Sequence, residues 1–317
     1  MHINGSGSIK TYMVTMPRTQ ENFIALWTYI NTHDVHKWVI GREVGRGGYE
    51  HLQCRLKAQE DFLYFEDEER LMPVVRKGMI YWEMKKTGQK VKRGWMAEKA
   101  PEAHVEEAND DEWDYETKEG MFVASWDSKE ALQVRFGVPR WYQYLLIDDL
   151  DQTNDRQVLV WVDEKGNQGK SWICKHMVSR KLAYYCPPYL KTIEGMIKWL
   201  ADLVKQDRMD GRPPKKYVII DIPRTWKWTK ELYVAIEAIK DGLLADPRYG
   251  STLEDISGSK VLVLTNTRPK VDSLSSDRWV FWTEPMHRCS TGGYRPPPKG
   301  APPARVNRGD SMGIALS

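Results

Sequence analysis

The sequence from Gly45 to Lys57, Gly-Arg-Gly-Gly-Tyr-Glu-His-Leu-Gln-Cys-Arg-Leu-Lys, predicts a glycine-rich turn followed by a strand. Successive side chains of a strand point to opposite faces, so His51 and Gln53 share one face while Leu52 points to a core. The preceding residues, Trp38 to Val44, are typical of a partner strand. This hairpin predicts an antiparallel sheet in the first half of the chain.

The same hairpin carries a hypothesis of a metal site. An imidazole nitrogen beside a carboxamide oxygen suits Mg²⁺ or Mn²⁺ better than Zn²⁺, which favours thiolates and imidazoles. Glu43, near the end of the partner strand, is the expected third ligand after His51 and Gln53. Taken alone, a His-x-Gln pair on a strand is weak evidence for a metal site, because most such histidines are ordinary surface or core residues.

Composition limits the classes of protein to consider. The 317 residues can form two domains, and a hydrophobic content of 41% with 29% charged residues is typical of a soluble globular protein. No apolar run is long enough to span a bilayer, and the N-terminus lacks the apolar core of a signal peptide, so secretion is not expected. The four cysteines form no Cys-x-x-Cys pair, and a net charge of +3 restricts any nucleic-acid surface to a local patch.

The rest of the first half predicts an α+β fold, with helices packed on an antiparallel sheet. A strand is expected from Ile9 to Met16, and a helix capped by Thr19 is expected to reach about His33. Residues 60–70 are acidic and predict a solvated loop or helix, whereas residues 102–112 are acidic and permit a helix.

Basic residues alternate with Tyr81, Trp82 and Trp95 between residues 76 and 95. Positive charge suits phosphates and aromatic rings suit bases, so this pattern predicts binding of single-stranded DNA. A solvated hairpin face or a nuclear-import signal accounts for the pattern equally well. The residues expected to contact DNA are Lys85, Lys86, Lys90, Lys92 and Arg93.

Tyr115 and Lys118 are three residues apart, so on a helix they share a face, and Gly120 would end that helix. A nearby ammonium favours the phenolate of a tyrosine, or holds the phosphate that it attacks. A packing tyrosine beside a surface charge is the alternative explanation.

Three short motifs occur in order along this half. Thr15-Met16-Pro17-Arg18 follows the first strand, His51-Leu52-Gln53 lies in the hairpin, and Tyr115-Glu116-Thr117-Lys118-Glu119-Gly120 follows the acidic interval. Their order and spacing resemble those of the rolling-circle replication initiators, the Rep proteins of small circular single-stranded DNA viruses. Three ordered motifs are far more specific than any one of them.

That resemblance implies an HUH-type endonuclease domain with assigned residues. Position by position, it makes His51, Gln53 and Glu43 the ligands of a divalent metal. It makes Tyr115 the nucleophile that attacks a phosphodiester at the replication origin, and Lys118 its helper.

The second half carries a pattern for binding nucleotide. An apolar strand from Gln157 to Val162 leads into a loop with Gly166 and Gly169, and Lys170-Ser171 then opens a helix. This context predicts a phosphate loop in which Lys170 reaches the outer phosphates and Ser171 holds Mg²⁺. The first glycine of the general pattern is replaced by Glu164, and a surface turn capping a helix is the alternative.

Two further strands end in polar residues. Asp221 ends the second buried strand and is expected to support Mg²⁺. Asn266 follows the third and resembles the sensor asparagine of superfamily 3 helicases, which contacts the γ-phosphate or the attacking water. Ile222 stands where a second acidic residue is common. Arg268 and Arg278 are candidates for an arginine that completes a neighbouring subunit's site, and Arg278 is preferred.

Helices expected from Thr192 to Lys205 and from Thr229 to Leu244 alternate with these strands, which predicts an α/β P-loop ATPase with a parallel sheet. The expected domains are an endonuclease at 1–122, a linker or oligomerisation element at 123–152, a superfamily 3 helicase ATPase at 153–293 and a disordered tail at 294–317.

These expectations combine into a replication initiator that nicks and rejoins single-stranded origin DNA through a 5′-phosphotyrosine and unwinds DNA with ATP. The expected cofactors are Mg²⁺ or Mn²⁺ and ATP, and the expected partners are origin stem-loop DNA and further copies in a ring, such as a hexamer. The resemblance implies the host nucleus, and Asp-Ile-Pro-Arg at Asp221 resembles smacovirus Reps. An inactive DNA-binding regulator, or a P-loop ATPase whose first half binds RNA, is the alternative.

Overall fold

The computed structural model describes residues 9–45, 47–187, 190, 192–246 and 252–283. The predicted tail at 294–317 lies outside these residues. The elements of the first part are β1 (Lys10–Pro17), α1 (Gln20–Thr32), β2 (Trp38–Val44), β3 (Glu50–Ala58), β4 (Tyr64–Arg76), β5 (Met79–Arg93), α2 (Trp95–Lys99), β6 (His104–Glu107), a 3₁₀ helix (Tyr115–Thr117) and β7 (Phe122–Ala124).

Five of these strands form an antiparallel sheet in the order β6-β1-β3-β2-β7. One face of the sheet is apolar because alternate residues of its strands, such as Val14 and Leu52, point to the same side. Helix α1 covers that face with Leu26 and Tyr29. Thr19 caps the helix, accepting a hydrogen bond from the backbone N–H of Asn22. The predicted first strand, the helix and the hairpin of β2 and β3 are all confirmed.

Two acidic intervals were expected to be loop or helix, and the structure corrects both. Most of residues 60–70 belongs to β4, which pairs with β5 in a separate two-stranded sheet. Asp67 and Glu69 of β4 lie across from Lys90 and Lys86 of β5, and these cross-strand pairs favour the strand. In residues 102–112, His104–Glu107 forms β6, which is the edge strand of the sheet, hydrogen-bonds to β1 and buries Val105.

The elements of the second part are α3 (Lys129–Arg135), α4 (Trp141–Gln152), β8 (Val158–Val162), α5 (Lys170–Ser179), β9 (Ala183–Cys186), α6 (Ile193–Met209), β10 (Tyr217–Ile222), α7 (Lys230–Asp241), β11 (Leu243–Asp246), β12 (Thr252–Asp255), β13 (Lys260–Thr265) and β14 (Trp279–Trp282). Two short 3₁₀ helices, Val271–Ser273 and Ser276–Arg278, precede the last strand.

Five parallel strands form a second sheet in the order β14-β8-β13-β10-β9. Helices α6 and α7 pack on one face of the sheet and α4 and α5 pack on the other. Helices α6 and α7 begin where the sequence predicts them, and Thr192 and Thr229 cap them through their hydroxyl oxygens. Helix α7 ends at Asp241 and not at the predicted Leu244, because Gly242 takes a left-handed conformation and β11 follows. The predicted sequence of fold classes, an antiparallel sheet with helices and then a parallel sheet with helices, is confirmed at this level.

The interval predicted as a linker, residues 123–152, contributes to both cores. The strand β7 at its start pairs with β2 in the first sheet. Helix α4 at its end packs Leu146 and Leu150 against the second sheet. None of the described helices has the length and apolar character needed to cross a membrane.

Candidate functional site

The side chains of Glu43, His51 and Gln53 lie on the sheet face opposite α1. Strands β2 and β3 are in a register that pairs Glu43 with His51 and Gly41 with Gln53. The Glu43 carboxylate is 3.5 Å from His51 Nε2, and its side chain is only 7% exposed. The structure therefore brings the predicted ligands of the two strands onto one surface.

A glycine lets the motif that contains Tyr115 approach this surface. A Cβ atom at Gly41 would lie 2.0 Å from the backbone oxygen of Glu116, so only glycine admits the 3₁₀ helix at this distance. The helix expected around Tyr115 is a single 3₁₀ turn, Tyr115–Thr117, rather than a longer α-helix. Gly41 was missed at the sequence level, although a glycine inside an apolar strand is a signal of close backbone approach.

Lys118 joins the two parts of the site. Its Nζ is 2.8 Å from Glu43 Oε2 and 3.7 Å from the centre of the Tyr115 ring. Burial lowers the pKa of Lys118, but the hydrogen bonds and charges of Glu43 and Tyr115 outweigh burial and raise the pKa above its usual value. Tyr115 is 49% exposed, so its phenol is open to a substrate.

Two observations bear on whether a cation fits the predicted ligands. Glu43 Oε1 is buried and has no hydrogen-bond partner among the described residues, which leaves one carboxylate oxygen available. His51 Nδ1 lies 3.3 Å from the carbonyl of Tyr49, and because a carbonyl only accepts, the proton belongs on Nδ1 and Nε2 is left to bind a metal.

The amide of Gln53 is engaged, since its Oε1 accepts a hydrogen bond of 2.6 Å from the Thr15 hydroxyl. Within the described part of the chain, no three His, Cys, Asp or Glu side chains form a cluster that could hold a metal ion. The predicted set holds only two residues of those types, Glu43 and His51. Carboxylate and amide oxygens with one imidazole fit a hard cation such as Mg²⁺ or Mn²⁺.

A buried ion pair anchors the turn, and it was not foreseen. Arg55 Nε donates to Glu116 Oε1 at 2.9 Å, and both side chains are almost fully buried. Burial raises the pKa of Glu116, while the guanidinium of Arg55 opposes that rise. Arg55 follows His51 and Gln53 at alternate positions of β3, so the strand period places it on the site face, but its partner lies 61 residues away.

The predicted phosphate loop connects β8 to α5 and is organised by Asp163. The Asp163 carboxylate accepts a hydrogen bond of 2.7 Å from the backbone N–H of Gly166 and binds Lys170 Nζ at 2.9 Å. Burial raises the pKa of Asp163, but these contacts outweigh it, and the pKa is lowered overall. Gly166 and Gly169 have φ values of 84° and 85°, which glycine adopts most readily.

The strand order brings the other predicted nucleotide-binding residues to the same edge of the parallel sheet. Asn266, just after β13, donates from Nδ2 to the Asp163 carbonyl at 2.5 Å. Burial raises the pKa of Asp221 at the end of β10, and the charge of Lys170 opposes that rise. Ser171 is exposed at the start of α5, and Ile222 is buried.

The two candidate arginine fingers differ in their surroundings. Arg278 is buried and binds Asp241 at 3.0 Å and Glu237 at 3.1 Å, both on α7. An arginine that reaches a neighbouring subunit has to be exposed, so this placement contradicts the preference for Arg278. Arg268 is exposed, with its guanidinium carbon 4.5 Å from the centre of the Phe281 ring.

The five predicted DNA contacts lie on β5 but do not share a face. Side chains alternate along the strand, which separates Lys85 and Arg93 from the other three. Three of the five bind acidic residues of β4: Lys86 and Lys90 bind Asp67 at 3.2 Å and 2.6 Å, and Arg93 binds Glu66 at 3.4 Å.

Comparison with known proteins shows that the chain is similar to viral replication proteins. It is 26% identical over 136 residues to the master replication proteins of milk vetch dwarf virus (isolate N) and faba bean necrotic yellows virus (isolate Syrian SV292-88). It is 28% identical over 140 residues to para-Rep C10 of the milk vetch dwarf C10 alphasatellite. Each match covers 43% of this chain, and the chain spans less than half the length of these relatives, 42% to 45%. No protein-family profile matches the chain.

Proposed function

We propose that the chain is a rolling-circle replication initiator that nicks and rejoins single-stranded origin DNA. The observation that carries the proposal is the convergence of Tyr115, Lys118, Glu43 and His51, connected by the 2.8 Å contact between Lys118 and Glu43. The similarity to viral replication proteins supports it independently of this geometry.

Tyr115 is the nucleophile in this proposal. Its phenol oxygen gives its proton to water and attacks the scissile phosphorus, so that a P–O bond to Tyr115 forms while the bond to the 3′ oxygen breaks. The 3′ oxygen takes up a proton from water. The 3′-hydroxyl leaves and the 5′-phosphate stays on the protein. Attack of a 3′-hydroxyl on the phosphotyrosine reverses the step and rejoins the strand.

Lys118 acts through its charge and not as a base. Because its pKa is raised, it is an ammonium at neutral pH and cannot accept the proton of the tyrosine. From its position beside the ring, the ammonium stabilises the phenolate and holds the phosphate.

Glu43, His51 and Gln53 would hold Mg²⁺ or Mn²⁺. A divalent cation bound there would stabilise the charge that develops on the scissile phosphate. The free oxygen of Glu43 and the Nε2 of His51 supply two of the expected contacts.

The second sheet is proposed to be a P-loop ATPase of superfamily 3 helicase type that unwinds DNA. Lys170 and Asn266 both contact Asp163, and the charge of Lys170 also acts on Asp221, so three predicted nucleotide-binding residues meet around one loop. The proposed domains are 1–122 and 153–293, with ring assembly, origin stem-loop DNA as partner and the host nucleus as the site of action.

The proposal is tested with a single-stranded origin oligonucleotide incubated with the protein and Mg²⁺ or Mn²⁺. Cleavage that requires the divalent ion is expected. An inactive DNA-binding regulator would bind the oligonucleotide without cleaving it. A P-loop ATPase that binds RNA would hydrolyse ATP and would lose that activity in Lys170→Ala. It would not cleave DNA with any divalent metal.

A further inference from the structure

The hairpin of β4 and β5 is a two-stranded sheet whose strands pair only with each other within the described residues. Two strands alone are marginally stable in water unless one face is covered. The outer part of this hairpin exposes large apolar side chains on both strands.

The cross-strand register sorts these side chains by face. Leu71 lies opposite Met84, Pro73 opposite Trp82 and Val75 opposite Ile80, and because these pairs alternate with the others, all six share one face. We call this set the apolar hairpin face. Five of its members are 57% to 68% exposed: Leu71, Val75, Ile80, Trp82 and Met84.

The opposite face is different in character. It also exposes apolar side chains, Met72, Met79 and Tyr81, but charged residues interrupt them. Arg76 and Glu83 form an ion pair of 2.8 Å on this face, and Arg70 lies across from Lys85. Only the apolar hairpin face therefore has three successive cross-strand pairs in which both side chains are apolar. Exposed apolar patches of this kind mark sites of interaction.

Toward the base of the hairpin, the same face becomes charged in an ordered way. Asp67 and Glu69 lie on β4, directly across from Lys90 and Lys86 on β5. One strand is acidic and the other is basic, and Asp67 already binds both lysines within the chain. A phosphate backbone would therefore meet carboxylates beside the lysines on this face, which disfavours DNA as its occupant.

We propose that the apolar hairpin face packs against the same face of a second copy of this chain, about a two-fold axis parallel to the hairpin. That symmetry places β4 of one copy over β5 of the other. Apolar side chains then cover apolar side chains, and Asp67 and Glu69 of each copy lie over the basic strand of the other. The surface is complementary to itself in both charge and apolar character, as a two-fold interface requires.

The test uses the full chain with Cys289→Ser, since Cys54, Cys174 and Cys186 are buried. Val75→Cys puts a thiol on the apolar hairpin face, and Met79→Cys puts one on the opposite face. The native residues at these two positions are similarly exposed, at 68% and 58%. Facing sheets pack about 10 Å apart, a gap that a short bismaleimide spans.

At least fivefold more covalent dimer is expected from Val75→Cys than from Met79→Cys. Adding Ile80→Lys to Val75→Cys should abolish most of this cross-linking, because it places a charge in the interface, whereas adding Met79→Lys should leave it intact. Unchanged far-ultraviolet circular dichroism of both lysine variants would show that the chain still folds, and it is expected because neither residue is buried within one copy.

Equal cross-linking from the two faces would overturn the proposal, as would cross-linking that survives Ile80→Lys. It would also be overturned if single-stranded DNA, or vesicles of neutral or anionic lipid, protected Val75→Cys from maleimide and suppressed the dimer. Either result would make DNA or a membrane the occupant. The nicking reaction plays no part in this readout, so the outcome is independent of the proposed chemistry.

Discussion

The Lys118 ammonium lies 2.8 Å from Glu43 and 3.7 Å from the Tyr115 ring centre, so one cation serves both the proposed nucleophile and a proposed metal ligand. Charge at this position has opposite consequences for the two. It favours a phenolate at Tyr115 and repels a divalent cation at Glu43.

Replacing Lys118 with methionine should separate these effects. Binding of Mn²⁺ should become about threefold to tenfold tighter, because a competing charge pair worth roughly 1 kcal/mol is removed. Nicking should fall at least tenfold, because the phosphate and phenolate lose their partner. Calorimetric titration with Mn²⁺ and a nicking assay on the same preparation measure the two quantities. Weaker metal binding in Lys118→Met would contradict the arrangement.

Gly41→Ala should damage the site without touching any proposed functional side chain. The added Cβ would meet the Glu116 carbonyl at 2.0 Å and push the turn with Tyr115 away from the sheet. Displacements of about 1 Å can cost on the order of 100-fold in rate. Gly47→Ala is the matched control, because nothing lies within 4 Å of its Cβ position. Equal nicking rates in the two variants would show that the turn does not need this contact.

Gly120 ends the tyrosine motif in contact with the end of α5, where its added Cβ would lie 2.0 Å from the Arg180 carbonyl. Gly120 and Gly211 have the same φ of 69°, but Gly211 has open space around it. Gly211→Ala should therefore lower the free energy of unfolding only by the strain of the left-handed backbone, roughly 1 kcal/mol. Gly120→Ala should lower the free energy of unfolding, as measured with denaturant, by clearly more than Gly211→Ala. A smaller loss in Gly120→Ala would mean that this contact is absent in solution.

Arg55→Met should destabilise the protein by about 3–5 kcal/mol, because it leaves the Glu116 carboxylate buried and unpaired. Burial already raises the pKa of Glu116, and a raised carboxyl pKa gives stability that is present at low pH and lost as pH rises through that pKa. The deficit should therefore be smaller at pH 5 than at pH 8. Glu116→Gln in the same chain should restore much of the stability. A deficit independent of pH would exclude this explanation.

Much of the architecture was accessible from sequence because it follows local periodicity. The alternation around His51, the cap at Thr19, the helix starts at Thr192 and Thr229, and the apolar strand before Lys170 all depend on neighbours in the chain. The strands β4 and β6 were not anticipated, because their acidic residues interrupt the alternation of apolar and polar side chains. Their pairing partners, β5 and β1, lie in other segments of the chain.

The site divides in the same way. The three motifs name the residues that meet, but the approach of the turn over Gly41 and the anchor from Arg55 to Glu116 are contacts between distant segments. The prediction for Arg278 failed on burial, which charge alone does not reveal. The predicted DNA contacts of β5 lie on two different faces, because side chains alternate along a strand.

The most direct test of the central claim is the covalent adduct between the protein and an origin oligonucleotide. With Mg²⁺ or Mn²⁺, the native chain should form an adduct that resists denaturation, and mass analysis should place the DNA on Tyr115. Tyr115→Phe, which keeps the ring beside Lys118, should form none. An adduct of unchanged yield in Tyr115→Phe would contradict the assignment of Tyr115 as the nucleophile.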